Sequence, residues 1–388
     1  MKIVFLSNFL NHHQLPLCQA LHRLTAGDFT FVATTPVPQD RLDFGYADMN
    51  RAYPFVLRAY DGQAESQKAM TLVESADVVI HGSAPWEYLE ERLAHKKLTF
   101  LYSERLYKTG FQVWKWPVRL WRHYWRFARH KNLYMLCASA YTAYDYSRTL
   151  TFLGKTYKWG YFPEVQTYDV EALLDAKRKN SILWAGRFLE LKHPEHVVEV
   201  AQRLKAEGCD FHLTMLGNGD LLEQTRRQVA ELGLEDTVSL PGAVPADAVR
   251  DYMEKAGIYL FTSDRNEGWG AVLNESMNSG CAVVACNAIG SVPFLLKDGE
   301  TGLTYESGNV EQLYTHAKTI LNDPEKCRAL GRKAYESMVS QWNAETAAKR
   351  LLELSQALLA GNARPDLYDD GPCSKAEIIK DKLHTKHR

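Results

Sequence analysis

The sequence has no run of eighteen apolar residues, so no segment of it is expected to span a membrane. Its start, M-K-I-V-F-L-S-N, is apolar over too few residues for a signal peptide and reads as a first strand. There is no C-x-x-C pair, no His/Cys cluster and no convincing D-x-D pattern, so neither a metal nor a cofactor is expected. Seven cysteines are odd in number and scattered, as in reduced, mostly buried thiols of a cytoplasmic protein. A formal net charge of −1 points to no class of partner, and no nucleic-acid-binding motif is present. What is present is length. At 388 residues the chain exceeds what one hydrophobic core usually supports, so two domains are expected.

Strand and helix signals alternate twice along the chain. In the first half, strands are expected at Lys2–Ser7, Phe29–Thr34, Asp77–Ile80, Leu98–Tyr102 and Leu133–Ala138, with helical patterns between them. The stretch Lys158–Val165 breaks the pattern and reads as the connection between halves. Alternation then restarts, with strands at Ser181–Ala185, Phe211–Leu216, Val238–Leu240, Ile258–Thr262 and Ala282–Ala285. Such alternation predicts α/β halves with parallel sheets. The expected division is residues 1–165, residues 166–342, a closing helix over 343–360, and a polar tail from 361 to 388. The tail is expected to be disordered, with a weak helical signal only at 375–383.

The most informative stretch is Asn266–Met277, N-E-G-W-G-A-V-L-N-E-S-M, which follows an apolar run read as a buried strand. Strand, polar glycine-containing loop and helix is how α/β proteins present ligand-binding groups. With a helix from about Gly270, Glu267 lies in the loop and Glu275 about a turn and a half inside, roughly a dozen ångströms apart at most. Two carboxylates accept hydroxyls, and a helix N-terminus between them suits phosphate. A sugar–diphosphate–ribose chain has that layout. Upstream, W-A-G-R-F-L-E-L-K-H places Arg187 and Lys192 just after a strand, two cations suited to a diphosphate.

These residues resemble the nucleotide-sugar signature of retaining glycosyltransferases of family 4, glycosyl transferases group 1, whose patterns are E-G-F-G-x-x-x-x-E and G-R-x-x-x-x-K. The resemblance implies a GT-B architecture, two Rossmann-like domains facing a central cleft. It places Glu267, Gly268, Trp269, Gly270 and Glu275 on the nucleotide-sugar, Glu267 at sugar hydroxyls and Glu275 at the ribose. Arg187 and Lys192 would take the diphosphate, and Gly217 and Gly242 lie in loops that face the nucleotide in the family. His81, in V-V-I-H-G-S-A-P, matches a histidine that reaches the donor sugar. The implied reaction is retaining transfer of a sugar, by default UDP-linked, with Glu267, Arg187, Lys192 and His81 as its catalytic set. The expected acceptor is a glycan or lipid-linked glycan in cell-surface polysaccharide or glycoconjugate assembly. The family's Gly-Gly loop after the first strand is missing here; N-F-L-N-H-H-Q stands in its place.

On the acceptor side, the residues themselves suggest His12, His13 and Glu104, each with a plain reading as a helix start or a surface ion pair. The stretch Arg105–Lys131 carries eight Lys/Arg, eight aromatics and no acid. Within it, Trp114–Arg129 read as a helix places Trp114, Trp121 and Trp125 near one face and Arg122, Arg126 and Arg129 on the others. That composition suits an anionic membrane surface, giving a peripheral protein on the inner face of the plasma membrane. The alternatives are a GT-B nucleotide-sugar epimerase, or a membrane- or polyanion-binding protein without catalysis. Stabilisation by nucleotide separates the catalytic readings from the last one.

Overall fold

In the computed structural model, which describes residues 1–39, 42 and 47–380, the chain forms two compact units. Residues 1–164 and 343–388 make the first, and residues 165–342 the second.

The first unit is built on a seven-stranded parallel sheet: β1 (Ile3–Ser7), β2 (Phe29–Ala33), β3 (Val56–Arg58), β4 (Val78–His81), β5 (Thr99–Ser103), β6 (Leu133–Cys137) and β7 (Thr156–Lys158). Their spatial order is β3-β2-β1-β4-β5-β6-β7. β1 and β6 are buried along their whole length, which explains their near-continuous apolar sequences. β1 pairs with β2 on one side (Ile3 with Phe29) and β4 on the other (Ile3 with Val78). The order therefore reverses between β1 and β4. At such a switch point the flanking crossovers go to opposite faces and leave a crevice at the carboxyl ends of the strands.

The second unit repeats the plan with six parallel strands: β8 (Ser181–Ala185), β9 (His212–Leu216), β10 (Val238–Gly242), β11 (Ile258–Phe261), β12 (Ala282–Cys286) and β13 (Leu303–Tyr305). The order β10-β9-β8-β11-β12-β13 puts its switch point between β8 and β11. Each unit is thus Rossmann-like. The helix Ala344–Leu359 rejoins the first unit, packing on the helix Leu15–Leu24, with Arg23 paired to Glu345.

Three strands escaped the sequence reading: β3, β7 and β13. Each is three residues long and lies at a sheet edge, too short for a period to show. The tail also differs from expectation. Residues 361–380 are not a disordered extension, and within them Cys373–Ala376 pairs with β7. Lys158 N–H donates to Ser374 O at 2.8 Å, Cys373 N–H to Lys158 O at 2.8 Å and Ala376 N–H to Thr156 O at 3.0 Å. An edge strand leaves backbone donors and acceptors unpaired, and this segment covers them. Its polar side chains hid that role. The weak helical signal at 375–383 falls partly outside the described residues; Ala376–Lys380 is not helical.

Candidate functional site

In the second unit the chain leaves β8 through Gly186–Lys192 and leaves β11 through Thr262–Glu267, at the two central strands where the order reverses. The loops are tied together: Asp264 N–H donates to Leu191 O at 2.9 Å and Thr262 Oγ1 to Lys192 O at 2.6 Å. These bonds bring Lys192 and Glu267 into contact. The Lys192 ammonium donates to Glu267 Oε2, which also accepts from Ser263 Oγ at 3.1 Å. Both members of the pair are largely sheltered, at 15% and 16% side-chain exposure, so the charges meet with little competition from water. Arg187 is exposed on the same loop and, among the described residues, forms no hydrogen bond or ion pair through its side chain.

Glu275 lies in the first turn of a short helix, Val272–Asn278, which starts two residues later than the sequence suggested. Among the described residues its carboxylate has no hydrogen-bond partner, and burial holds its pKa above the ordinary carboxylate range. Such a group gains by accepting hydroxyl hydrogen bonds.

The glycines of this region act on the backbone. At φ +135° a Cβ on Gly217 would lie 1.8 Å from the Gly186 carbonyl oxygen, so only glycine lets the loops after β8 and β9 run flush. Gly217 N–H then donates to Gly242 O at 2.9 Å. On Gly270, at φ +79°, a Cβ would come within 2.4 Å of the Phe261 ring. Trp269 corrects the sequence reading, which set it among the nucleotide-sugar contacts. Its side chain is fully buried, its Nε1 donates to Asn274 Oδ1 at 2.9 Å, and its ring packs beside Phe294 and Trp342. It anchors the loop that carries Glu267.

The first unit holds a cavity of about 600 Å³ beyond the carboxyl ends of β1, β4 and β5. His81, at the end of β4, lines it. Burial, with Arg126 nearby as a smaller cause, lowers the His81 pKa to about 4, so the ring is neutral at physiological pH. Glu104 lines it too, accepting from Tyr161 Oη at 2.6 Å and Lys108 Nζ at 2.8 Å. Arg105, beside them, is buried with Asp145 at 3.7 Å. His12 and His13 precede the helix Leu15–Leu24, their rings 3.8 Å apart, with His13 stacked on Tyr161; their neighbours Asn11 and Gln14 line the cavity.

Arg126 is the surprise. The sequence grouped it with Arg122 and Arg129 on a surface helix, but the helix is not uniform. It is α-helical over Trp116–His123 and widens at Tyr124–Ala128, where Arg129 N–H reaches back to Tyr124 O at 3.1 Å. The widened turn brings Arg126 to the cavity wall, its guanidinium 4.6 Å from the Trp86 ring centroid. Among the described residues it has no hydrogen bond or ion pair. Sequence reasoning missed Arg126, Lys108, Trp86 and Tyr161 as cavity groups, because no local pattern marks them.

Three tryptophans of the stretch face outward. Trp114 is 76% exposed, Trp121 66% and Trp125 49%, which excludes a core role for them in this unit. Arg122 is exposed, and Arg129 lies 5.1 Å from the Trp125 ring. No helix among the described residues is long and apolar enough to cross a membrane.

Residues 166–337 match the family described as glycosyl transferases group 1. A GDP-mannose-dependent alpha-(1-6)-phosphatidylinositol monomannoside mannosyltransferase of Mycolicibacterium smegmatis is 25% identical over 179 residues, which cover 45% of this chain and 47% of that protein. An N-acetylgalactosamine-N,N'-diacetylbacillosaminyl-diphospho-undecaprenol 4-alpha-N-acetylgalactosaminyltransferase of Campylobacter jejuni is 31% identical over 172 residues, 44% of this chain and 46% of that one. The chain therefore spans about half the length of these curated relatives. Among solved structures, Anabaena HepE in complex with UDP superposes with a TM-score of 0.68 at 16% identity, covering 92% of this chain and 100% of that one.

Proposed function

We propose a reaction for this chain, which through residues 166–337 belongs to the glycosyl transferases group 1 family and has the GT-B fold: transfer of a sugar, with retention, from a nucleotide-sugar to a glycan or lipid-linked acceptor. The observation that carries this reading is the Lys192–Glu267 pair at the β8/β11 switch point, with Arg187 on the same loop as Lys192 and with Glu275, whose carboxylate has no hydrogen-bond partner among the described residues, eight positions after Glu267. Arg187 and Lys192 are assigned to the diphosphate, where fixed cations stabilise the charge that develops as the sugar–phosphate bond breaks. Glu267, relieved of Lys192 when the diphosphate arrives, is assigned to sugar hydroxyls, and Glu275 to the ribose. UDP is the preferred nucleotide, because Anabaena HepE binds it; the mycobacterial relative is GDP-mannose-dependent, so guanine is the competing base.

The acceptor is assigned to the cavity of the first unit. There His81 offers an uncharged hydrogen-bonding edge, Glu104 a carboxylate, and Arg126, stacked on Trp86 and without an ion pair among the described residues, a cation for an anionic group on the acceptor. Exposed Trp114, Trp121 and Trp125 with Arg122 and Arg129 support a peripheral seat on an anionic membrane surface, where lipid-linked acceptors reside. The test is a thermal-shift and hydrolysis screen over UDP- and GDP-sugars with the full chain. A true donor at a hundredfold its Kd adds about 2.7 kcal/mol of stability. Absence of stabilisation by any nucleotide-sugar overturns the reading.

A further inference from the structure

The helix Pro194–Ala206 begins beside the Lys192 loop in an unusual way. Its cap, His193, adopts the left-handed region (φ 50°, ψ 55°), where glycine or asparagine is usual, and its side chain does not cap the helix. The ring is engaged elsewhere. His193 Nδ1 lies 2.7 Å from Glu195 Oε1, and His196 Nε2 lies 3.8 Å from the same oxygen. The two imidazoles stack with centroids 4.6 Å apart and planes 7° apart. One ligand atom from each of His193, Glu195 and His196 falls within 4.8 Å of the other two.

Tetrahedral zinc with bonds of about 2.0–2.1 Å holds its ligand atoms roughly 3.3 Å apart. Closing the set on an ion means drawing the widest separation, 4.8 Å, in by about 1.5 Å, opening the 2.7 Å His193–Glu195 pair by about 0.6 Å, and turning the stacked rings so that their nitrogens converge. The far side of His193 supplies an independent sign. Its Nε2 faces Asp264 Oδ2 at 3.6 Å. A carboxylate behind the imidazole is the usual way a metal-bound histidine is oriented and made more basic.

We infer that His193, Glu195 and His196 form a site for a divalent transition metal of the zinc class, with Asp264 as the carboxylate that orients His193. Two imidazoles and one carboxylate suit zinc, cobalt or nickel; magnesium and calcium prefer sets made wholly of oxygen. Three protein ligands leave a fourth position for water. The ion would act as a clamp. It fixes a ring set between the loop carrying Lys192 and the loop carrying Glu267, three residues beyond Asp264. H-P-E-H has neither the cysteine-rich nor the D-x-D pattern of a metal site in sequence, and its three side chains come together only once the helix start is folded.

The experiment uses the full chain stripped with EDTA. Titration with Co²⁺ is followed by its visible d–d absorption, and Zn²⁺ is titrated in competition with a chromophoric chelator. One equivalent should bind with micromolar or tighter affinity, unaffected by millimolar Mg²⁺. His196→Gln and His193→Asn, the latter tolerant of the left-handed backbone, should each weaken binding by at least a hundredfold. Asp264→Asn should keep the stoichiometry and weaken binding by about tenfold. Circular dichroism of each variant confirms that the fold is retained. Failure to bind one equivalent, or unchanged affinity in the His193→Asn/His196→Gln double variant, overturns the site; the latter outcome means adventitious binding by other histidines.

Discussion

Acidification should expose His81 directly. The folded first unit holds this imidazole at a pKa of about 4, against 6.5 for the free side chain, chiefly because burial penalises the charged ring. The unfolded chain pays no such penalty. Between pH 6.5 and 4 it therefore binds a proton that the folded chain does not, and stability falls as pH falls. At about 1.36 kcal/mol for each pH unit crossed in that window, the loss relative to pH 7 is about 2 kcal/mol at pH 5 and about 3 kcal/mol at pH 4. With His81 only 7% exposed, solvent screening takes little off these figures. His123, also lowered to about 4 by burial, adds a parallel loss, so the comparison must be between proteins. Wild type and His81→Gln, whose amide does not titrate, are unfolded in urea at pH 7 and pH 5, following the transition of the first unit. The wild type should lose about 2 kcal/mol more than the variant over that interval. Direct NMR titration of the His81 ring, identified by its loss in the variant, should give a midpoint near 4. Equal losses in the two proteins, or a midpoint near 6.5, would refute the claim that the cavity holds a neutral, desolvated histidine.

Arg187→Ala and Lys192→Ala should each lower turnover by about a hundredfold or more with the fold intact, as expected for cations acting on developing charge; steady-state rates with a donor from the screen decide this. Glu275→Ala should weaken nucleotide binding by roughly 1.5–3 kcal/mol through lost hydrogen bonds to a charged acceptor, whereas Glu267→Ala should cut turnover more than affinity for the free nucleotide; calorimetry beside kinetics separates them. Gly217→Ala drives a methyl into the Gly186 carbonyl and should destabilise the second unit by roughly 3 kcal/mol, visible as a lowered thermal midpoint without change in the first unit. The full chain should sediment with anionic vesicles at low salt and release with added salt. Arg122→Gln/Arg129→Gln should abolish sedimentation, while Arg126→Gln, turned to the cavity, should leave it in place and impair acceptor use instead.

The sequence by itself determined the parts of this protein whose physics is local. Long buried strands announce themselves because both faces must be apolar, and so β1, β6, β8 and β12 were legible. The Glu267–Glu275 and Arg187–Lys192 spacings were legible because loop and helix fix them within a dozen residues. The tertiary structure alone decided what depends on distant neighbours. It paired Lys192 with Glu267 across 75 positions, since only the adjacency of β8 and β11 brings their loops together. It set the exposed Arg126 at the cavity wall within one widened helical turn, a change of backbone pitch that no residue pattern encodes. It buried Trp269 against Trp342, where a sequence reading sees only an aromatic within a ligand loop. It laid a polar tail along β7, because the need to satisfy an open sheet edge belongs to the edge and not to the segment that covers it.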